Sequence, residues 1–403
     1  MNQDFIALGL EEVIVQAVDH LGFEKPTPVQ EKCIPIVLND DTDLVALAQT
    51  GTGKTASFGL PLIQKINNDN KNTQALVLAP TRELCIQITG DLKNFAKFKK
   101  TNVVAVYGGA SITEQARTLK RGAQIIVATP GRLQDMINRR LVNLSHIDFL
   151  VLDEADEMLN MGFQEAIDEI LETASKDRNT WLYSATMPMS VSKIASNYMN
   201  NPVEVTCGTK NQAASTVDHG YYLIDHRDRY KVLRRIVDSH PSIYAIIFCR
   251  TRAETQSVAE RLQSDGYNTG GLHGDMSQDQ RDSVMKQFKT KNISILVATD
   301  VASRGIDVDD ISHVIHYQLP DDLEVYTHRS GRTGRAGKEG TSLAIVGGKD
   351  KYKLGQIERT INRRIDRKMV PSGEEVMNSM VMKSMNDLLN TKIHTQALKP
   401  FTE

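Results

Sequence analysis

The sequence predicts an α/β protein of two tandem domains, each a mostly parallel sheet with helices on both faces. Three observations carry that prediction. Short apolar runs alternate with longer amphipathic stretches along nearly the whole chain, the rhythm of strand–helix–strand units. That rhythm breaks once, in a small polar stretch from Thr206 to Thr216, and then restarts. At 403 residues the chain holds two, at most three, domain cores. The boundaries that follow are 1–208 for the first domain, 209–216 for a linker, 217–370 for the second domain and 371–403 for a short helical extension.

The first segment, Phe5 to Leu38, reads as two short helices around Gly22-Phe23-Glu24-Lys25-Pro26-Thr27-Pro28-Val29-Gln30. The two prolines make a rigid turn, and Thr27 can cap the helix that Pro28 begins. Gln30 then offers an amide that donates and accepts at once, which suits an adenine edge as well as a capped core helix. Strands are expected at Leu44–Leu47, Ala75–Ala79, Val103–Val106, Ile125–Ala128, Phe149–Leu152, Thr180–Ser184 and Val203–Val205. In the second domain they are expected at Tyr221–Leu223, Tyr244–Phe248, Ile293–Ala298, His313–Tyr317 and Ser342–Val346. A basic stretch (Arg359, Arg363, Arg364, Arg367, Lys368) reads either as a solvated helix face or as an RNA-backbone contact. In the extension, Met377, Met380, Val381, Met385, Leu388 and Leu389 recur at helical spacing, predicting an amphipathic helix that docks on its own domain or on a second copy.

Composition narrows the function. A formal net charge of −2 leaves no global positive field, so any nucleic-acid site has to be a local groove. The four cysteines (Cys33, Cys85, Cys207, Cys249) form no Cys-x-x-Cys pair and read as reduced, mostly buried thiols. No basic region precedes an apolar one at the N-terminus and no apolar run approaches membrane-spanning length, which points to the cytoplasm.

The chemistry centres on Ala48-Gln49-Thr50-Gly51-Thr52-Gly53-Lys54-Thr55, set between the expected strand Leu44–Leu47 and a helix start. Glycines let successive backbone N–H groups turn inward on one anion, in conformations that a Cβ forbids. Lys54 supplies a point charge for the β and γ phosphates, Thr55 a hydroxyl for Mg²⁺, and the helix N-terminus a partial positive charge. A Gly-Thr-rich turn with a stray lysine would have similar composition, but not this order between a strand and a helix. The general pattern starts with Gly, and here Ala48 stands in its place. Downstream, the strand ending at Leu152 delivers Asp153, whose carboxylate can hold Mg²⁺ through water. Glu154 follows, placed to polarise the attacking water as general base.

Asp153-Glu154-Ala155-Asp156 resembles the name-giving motif of the DEAD-box RNA helicases, whose P-loop also begins with Ala. The likeness runs from Phe5 to about Lys368 and is greatest to the bacterial DeaD/cold-shock branch. It implies two RecA-like domains and ATP with Mg²⁺ as cofactors. The Gly22–Gln30 segment is similar to the Q motif, which implies that Phe23 or Phe5 packs near the adenine while Thr27 and Gln30 bond its edge. The RNA contacts implied in the first domain are Pro80, Thr81, Arg82, Gly109, Thr129 and Arg132. In the second they are Thr251, Arg281, Thr299 and Arg304. Ser184 and Thr186 match the Ser-Ala-Thr motif that links hydrolysis to strand separation, and His328 a residue bridging that motif and the phosphates. Gly305 and Asp307 resemble nucleotide contacts, Asp307 at the ribose. Arg332 and Arg335 resemble arginine fingers, which reach the γ-phosphate only when the domains close.

The implied partners are single-stranded and structured RNA held mostly by the backbone, with ribosomal precursors or RNA-decay complexes as natural settings, and no membrane. At about 1.4 kcal/mol per stacked step, opening five or six steps costs roughly 7–8 kcal/mol, a cost suited to one closure and not to processive travel. An ATP-gated RNA clamp or assembly scaffold shares the same motifs. So does a DNA-directed superfamily-2 helicase, against which Gln30 and the Asp153–Asp156 motif argue.

Overall fold

A computed structural model describes residues 2–39, 41–49, 51–207, 216–303, 308, 310–334 and 338–390. The expected linker lies outside the described residues except for Thr216. Seven strands build the first domain: β1 (Leu44–Leu47), β2 (Ala75–Leu78), β3 (Val103–Val106), β4 (Ile125–Ala128), β5 (Phe149–Leu152), β6 (Asn179–Ser184) and β7 (Val203–Thr206). Their order across the sheet is β3-β4-β2-β5-β6-β1-β7, and every pairing is parallel. Both faces are buried because successive side chains point opposite ways. Leu44 and Ala46 join one apolar cluster with Phe58 and Leu62, while Val45 and Leu47 join another with Leu133, Ile167 and Ile194.

The second domain repeats the plan with β8 (Val217–Ile224), β9 (Ala245–Cys249), β10 (Thr269–Leu272), β11 (Ile295–Thr299), β12 (His313–His316), β13 (Gly340–Gly347) and β14 (Asp366–Lys368). Its order is β10-β11-β9-β12-β13-β8-β14, again all parallel. Parallel pairing throughout puts all strand carboxyl ends of a sheet on one edge, and there the loops carrying the candidate motifs emerge.

Two strands were not expected. β10 reads Thr-Gly-Gly-Leu, poor in strand formers; a Cβ on Gly270 would lie 2.9 Å from Ile293 Cδ1, so close packing favours glycine. β14 lies within the basic stretch, where Lys368 pairs with Asp218 at 2.7 Å and Arg363 donates to the Val217 carbonyl at 3.3 Å. Edge pairing, which no apolar pattern announces, uses that charge.

The N-terminal segment forms three helices, not two: Gln3–Ala7, Glu12–His20 and Pro28–Asn39. Pro28 opens the third as expected. The buried Thr27 hydroxyl, however, has no hydrogen-bond partner; instead Gln30 Oε1 accepts from the Thr27 N–H at 3.0 Å, the return half of a capping box.

Cys33, Cys85 and Cys249 are buried free thiols and Cys207 is half-buried. Burial pushes the thiols of Cys33 and Cys85 up to about 12 and that of Cys249 higher still. The helix Gly373–Asn390 lies along Arg229–Ser239, with Lys383 Nζ donating to the Pro241 carbonyl at 2.7 Å. Its apolar residues Met377, Val381, Met385, Leu388 and Leu389 are each more than half exposed. Among the described residues no helix is long and apolar enough to cross a membrane.

Candidate functional site

The loop after β1 sits at the carboxyl edge of the first sheet, with the Ala48 N–H bonded to the Ser184 carbonyl of β6 at 3.0 Å. Gly51 and Gly53 take φ of +82° and +91°, the left-handed region that glycine enters without strain. A Cβ on Gly53 would meet Gln30 Nε2 at 2.5 Å and Thr27 Oγ1 at 2.9 Å. Thr52 Oγ1 closes the turn on the Gln49 carbonyl at 2.7 Å. The helix Lys54–Lys65 starts at once, so its first N–H groups point into the same space.

That space is a cavity of ≈ 290 Å³ lined by Phe23, Gln30, Gly53, Lys54, Thr55, Asp153, Glu154 and, from the second domain, Arg332. Lys54 is only 6% exposed and its Nζ has no hydrogen-bond partner among the described residues. A buried, unpaired ammonium is costly unless a ligand supplies the anion, so the cradle fits a polyphosphate. Asp153 lies opposite, its carboxyl raised to about 6 by burial, with Lys54 pulling the other way and Glu154 adding to the rise. Thr55 and Asp153 are the pair that would hold Mg²⁺ beside the phosphates, and no cluster of three ligating side chains exists among the described residues. Glu154 adopts φ 51°, ψ 52°, a strained conformation for a non-glycine residue, where the strand end gives way to the helix Ala155–Asn160. That turn leaves Glu154 on the cavity wall beside Asp153.

The adenine end is built differently from expectation. Phe23 lines the cavity, whereas Phe5 is fully buried behind it, 6.3 Å away between ring centroids. The Gln30 amide bonds the Thr27 N–H and, through Nε2, the Gly53 carbonyl at 3.1 Å, so it ties the rigid turn to the phosphate loop. The orphaned Thr27 hydroxyl is left for a ligand.

The other two residues of the acidic motif's neighbourhood reach outward. Asp156 accepts from both the N–H (2.9 Å) and the hydroxyl (2.7 Å) of Thr186, and Ser184 Oγ donates to the Thr186 carbonyl at 2.6 Å. His328, from the second domain, bonds Glu157 through Nδ1 and lies 3.9 Å from Asp156 through Nε2. Burial lowers this imidazole's pKa, but the Glu157 bond and the charges of Glu157, Asp156 and Glu154 outweigh it, and the net shift is upward. His328 therefore meets the acidic pair rather than Ser184 or Thr186 themselves.

On the second rim, Arg82 stacks over the Tyr107 ring at 5.1 Å and pairs with Asp282 of the other domain at 2.9 Å. Arg281 answers with Glu83 at 3.6 Å. Gly109, at φ +77°, packs against both Arg82 and Gln278. Thr81 and Thr251 cap the helices Arg82–Phe95 and Arg252–Ser264 through their hydroxyls. Thr129 precedes the helix Pro130–Asn138 without a side-chain cap bond, and Arg132 donates to the Ala110 carbonyl at 3.0 Å. Thr299 Oγ1 accepts from the Ala302 N–H at 3.4 Å, and Pro80 stands at the end of β2. Thr50, Arg304, Gly305, Asp307 and Arg335 lie outside the described residues. Sequence reading missed Glu157, Glu83 and Asp282, which act across the domain gap and carry no local signature.

The chain belongs to the DEAD-box helicase family, an enzyme class. Residues 27–194 match the DEAD/DEAH box helicase profile and 228–337 the helicase conserved C-terminal domain. It is 44% identical to the ATP-dependent RNA helicase CshA of Listeria monocytogenes over 92% of this chain and 71% of that one. Its structure resembles that of S. cerevisiae Dbp5 bound to RNA and ADP BeF3, with a TM-score of 0.84 at 29% identity, covering 94% of this chain and 99% of that one. A DEAD box protein from Methanococcus jannaschii, though 42% identical, scores only 0.54, covering 91% and 99%.

Proposed function

We propose that this enzyme is an ATP-dependent RNA helicase whose ATP hydrolysis is stimulated by RNA, because RNA and ATP together close the two domains. The observation that carries it is the composition of the cavity wall: Lys54 and Glu154 from one domain and Arg332 from the other line one space. Lys54 and the loop amides hold the phosphates, Glu154 takes a proton from the attacking water, and Arg332 meets charge on the far oxygens, with Arg335 in the same role. Mg²⁺, held by Thr55 and Asp153, neutralises charge on the phosphate oxygens. An arginine finger is worth roughly 10³–10⁵ in rate, so hydrolysis depends on closure.

The contrast in structural likeness supports that reading. A relative of higher identity superposes less well over the whole chain than one bound to RNA and a phosphate analogue. Sequence divergence therefore does not account for the difference, and a domain arrangement akin to the RNA-bound one does. The RNA-facing rim offers Arg82, Arg132, Arg281 and backbone N–H groups, so contacts to phosphate and sugar dominate and sequence preference is weak. Local opening of short duplexes follows, in the cytoplasm, on RNA or RNA–protein assemblies. The exposed apolar row of Gly373–Asn390 supports self-association through that helix; light scattering of the full chain against a Met377→Glu, Met385→Glu variant checks it.

The deciding experiment measures ATPase rate against single-stranded RNA, duplex RNA and DNA at stated salt. RNA-specific stimulation is expected; turnover indifferent to RNA overturns the reading. Single-turnover strand displacement with ATP and a non-hydrolysable analogue separates a helicase from a clamp that stays bound.

A further inference from the structure

Arg329 is the largest charged side chain in the core, 2% exposed. Its Nη2 and Nε both donate to Asp300, the former at 2.7 Å, and its Nη1 donates to the Gln318 carbonyl at 2.8 Å. The guanidinium lies 5.0 Å over the Phe248 ring. One residue thus holds the carboxyl ends of three adjacent strands, β9, β11 and β12. It is also flanked by the groups that face the other domain. His328 is its neighbour in the helix Leu323–Ser330, and Arg332 follows three residues on. Asp300, at the other end of the fork, directly follows Thr299 on the RNA-facing loop.

A planar guanidinium bonded twice to a carboxylate fixes orientation as well as distance, which a lysine cannot do. The fork joins the loop that would sense RNA to the helix end that presents His328 and Arg332 to the nucleotide. We infer that Arg329 and Asp300 are positioning residues that couple the RNA and ATP sites within the second domain. The inference rests on the RNA-stimulated ATPase reading above.

Allosteric coupling is reciprocal, so it is measured as the factor by which a non-hydrolysable ATP analogue tightens binding of single-stranded RNA. The full chain is compared with Arg329→Lys and with Asp300→Glu, which keeps the pair but shifts its register. Both variants should bind RNA alone and ATP analogue alone within twofold of the parent, while the tightening factor falls at least fivefold and RNA-saturated kcat at least tenfold. A tightening factor within twofold of the parent in either folded variant overturns the inference. So does equal weakening of each ligand alone, which would mark a merely structural role. If one variant fails to fold, the other carries the test. Absence of tightening or RNA stimulation in the parent overturns the underlying reading instead.

Discussion

Lys54 is where a single side chain matters most. Its ammonium is buried with no partner, so the site is charged and waiting for an anion. Lys54→Ala should weaken ATP binding by about a hundredfold, the loss of roughly 2–3 kcal/mol expected for bonds to a charged group; isothermal titration checks it. Glu154→Gln keeps shape and backbone turn but removes the base. It should bind ATP and RNA normally while single-turnover hydrolysis falls about 10²–10⁴-fold. Both residues were legible in the sequence because their chemistry is local, a lysine after glycines and an acid after a strand. Glu157 was not, because its partner His328 is 171 residues away.

Among elements, the phosphate loop and the Gly22–Gln30 turn behave as one unit. Gln30 grips the Gly53 carbonyl, and Gly53 leaves no room for a Cβ. Gly53→Ala should therefore lower ATP affinity at least tenfold even though the new methyl carries no charge, since both φ and space oppose it. Restored binding in Gly53→Ala with Gln30→Ala would show that the clash, not the φ, dominates; nucleotide titration of the pair decides. Element positions followed closely from apolar runs. β10 and β14 escaped because one is glycine-rich and packs for want of side chains, and the other is a charged edge with nothing apolar to bury. The helix Gly373–Asn390 was expected as a helix, but only its packing revealed that it rests on its own domain and leaves its apolar row uncovered.

For the whole molecule, closure is held at two rims, by His328 with Glu157 on the nucleotide side and by Arg82–Asp282 and Glu83–Arg281 on the other. The half-exposed ion pairs each contribute at most about 1 kcal/mol and weaken with salt. His328 adds a pH dependence. Its pKa is raised in the closed arrangement, so the contribution is fully present below the ordinary histidine value near 6.5 and is lost as pH rises through the raised one. RNA-stimulated kcat should thus fall on the alkaline side, and His328→Gln should flatten that limb while leaving ATP affinity in the absence of RNA unchanged; a pH–rate profile of both proteins tests it.

What the chain's order of residues determined by itself is local: two α/β layers, a phosphate loop, an acid pair at a strand end and the arginines meant to answer them. Each depends on neighbours within a few residues, and periodicity and spacing report such neighbours directly. Only the tertiary structure decided which charges meet across the gap, that Phe5 is core while Phe23 lines the cavity, and that Arg329 is a buried clamp and not an exposed finger. Those outcomes depend on how two separately folded sheets set their carboxyl edges against one another, a relation between distant residues that no local pattern encodes.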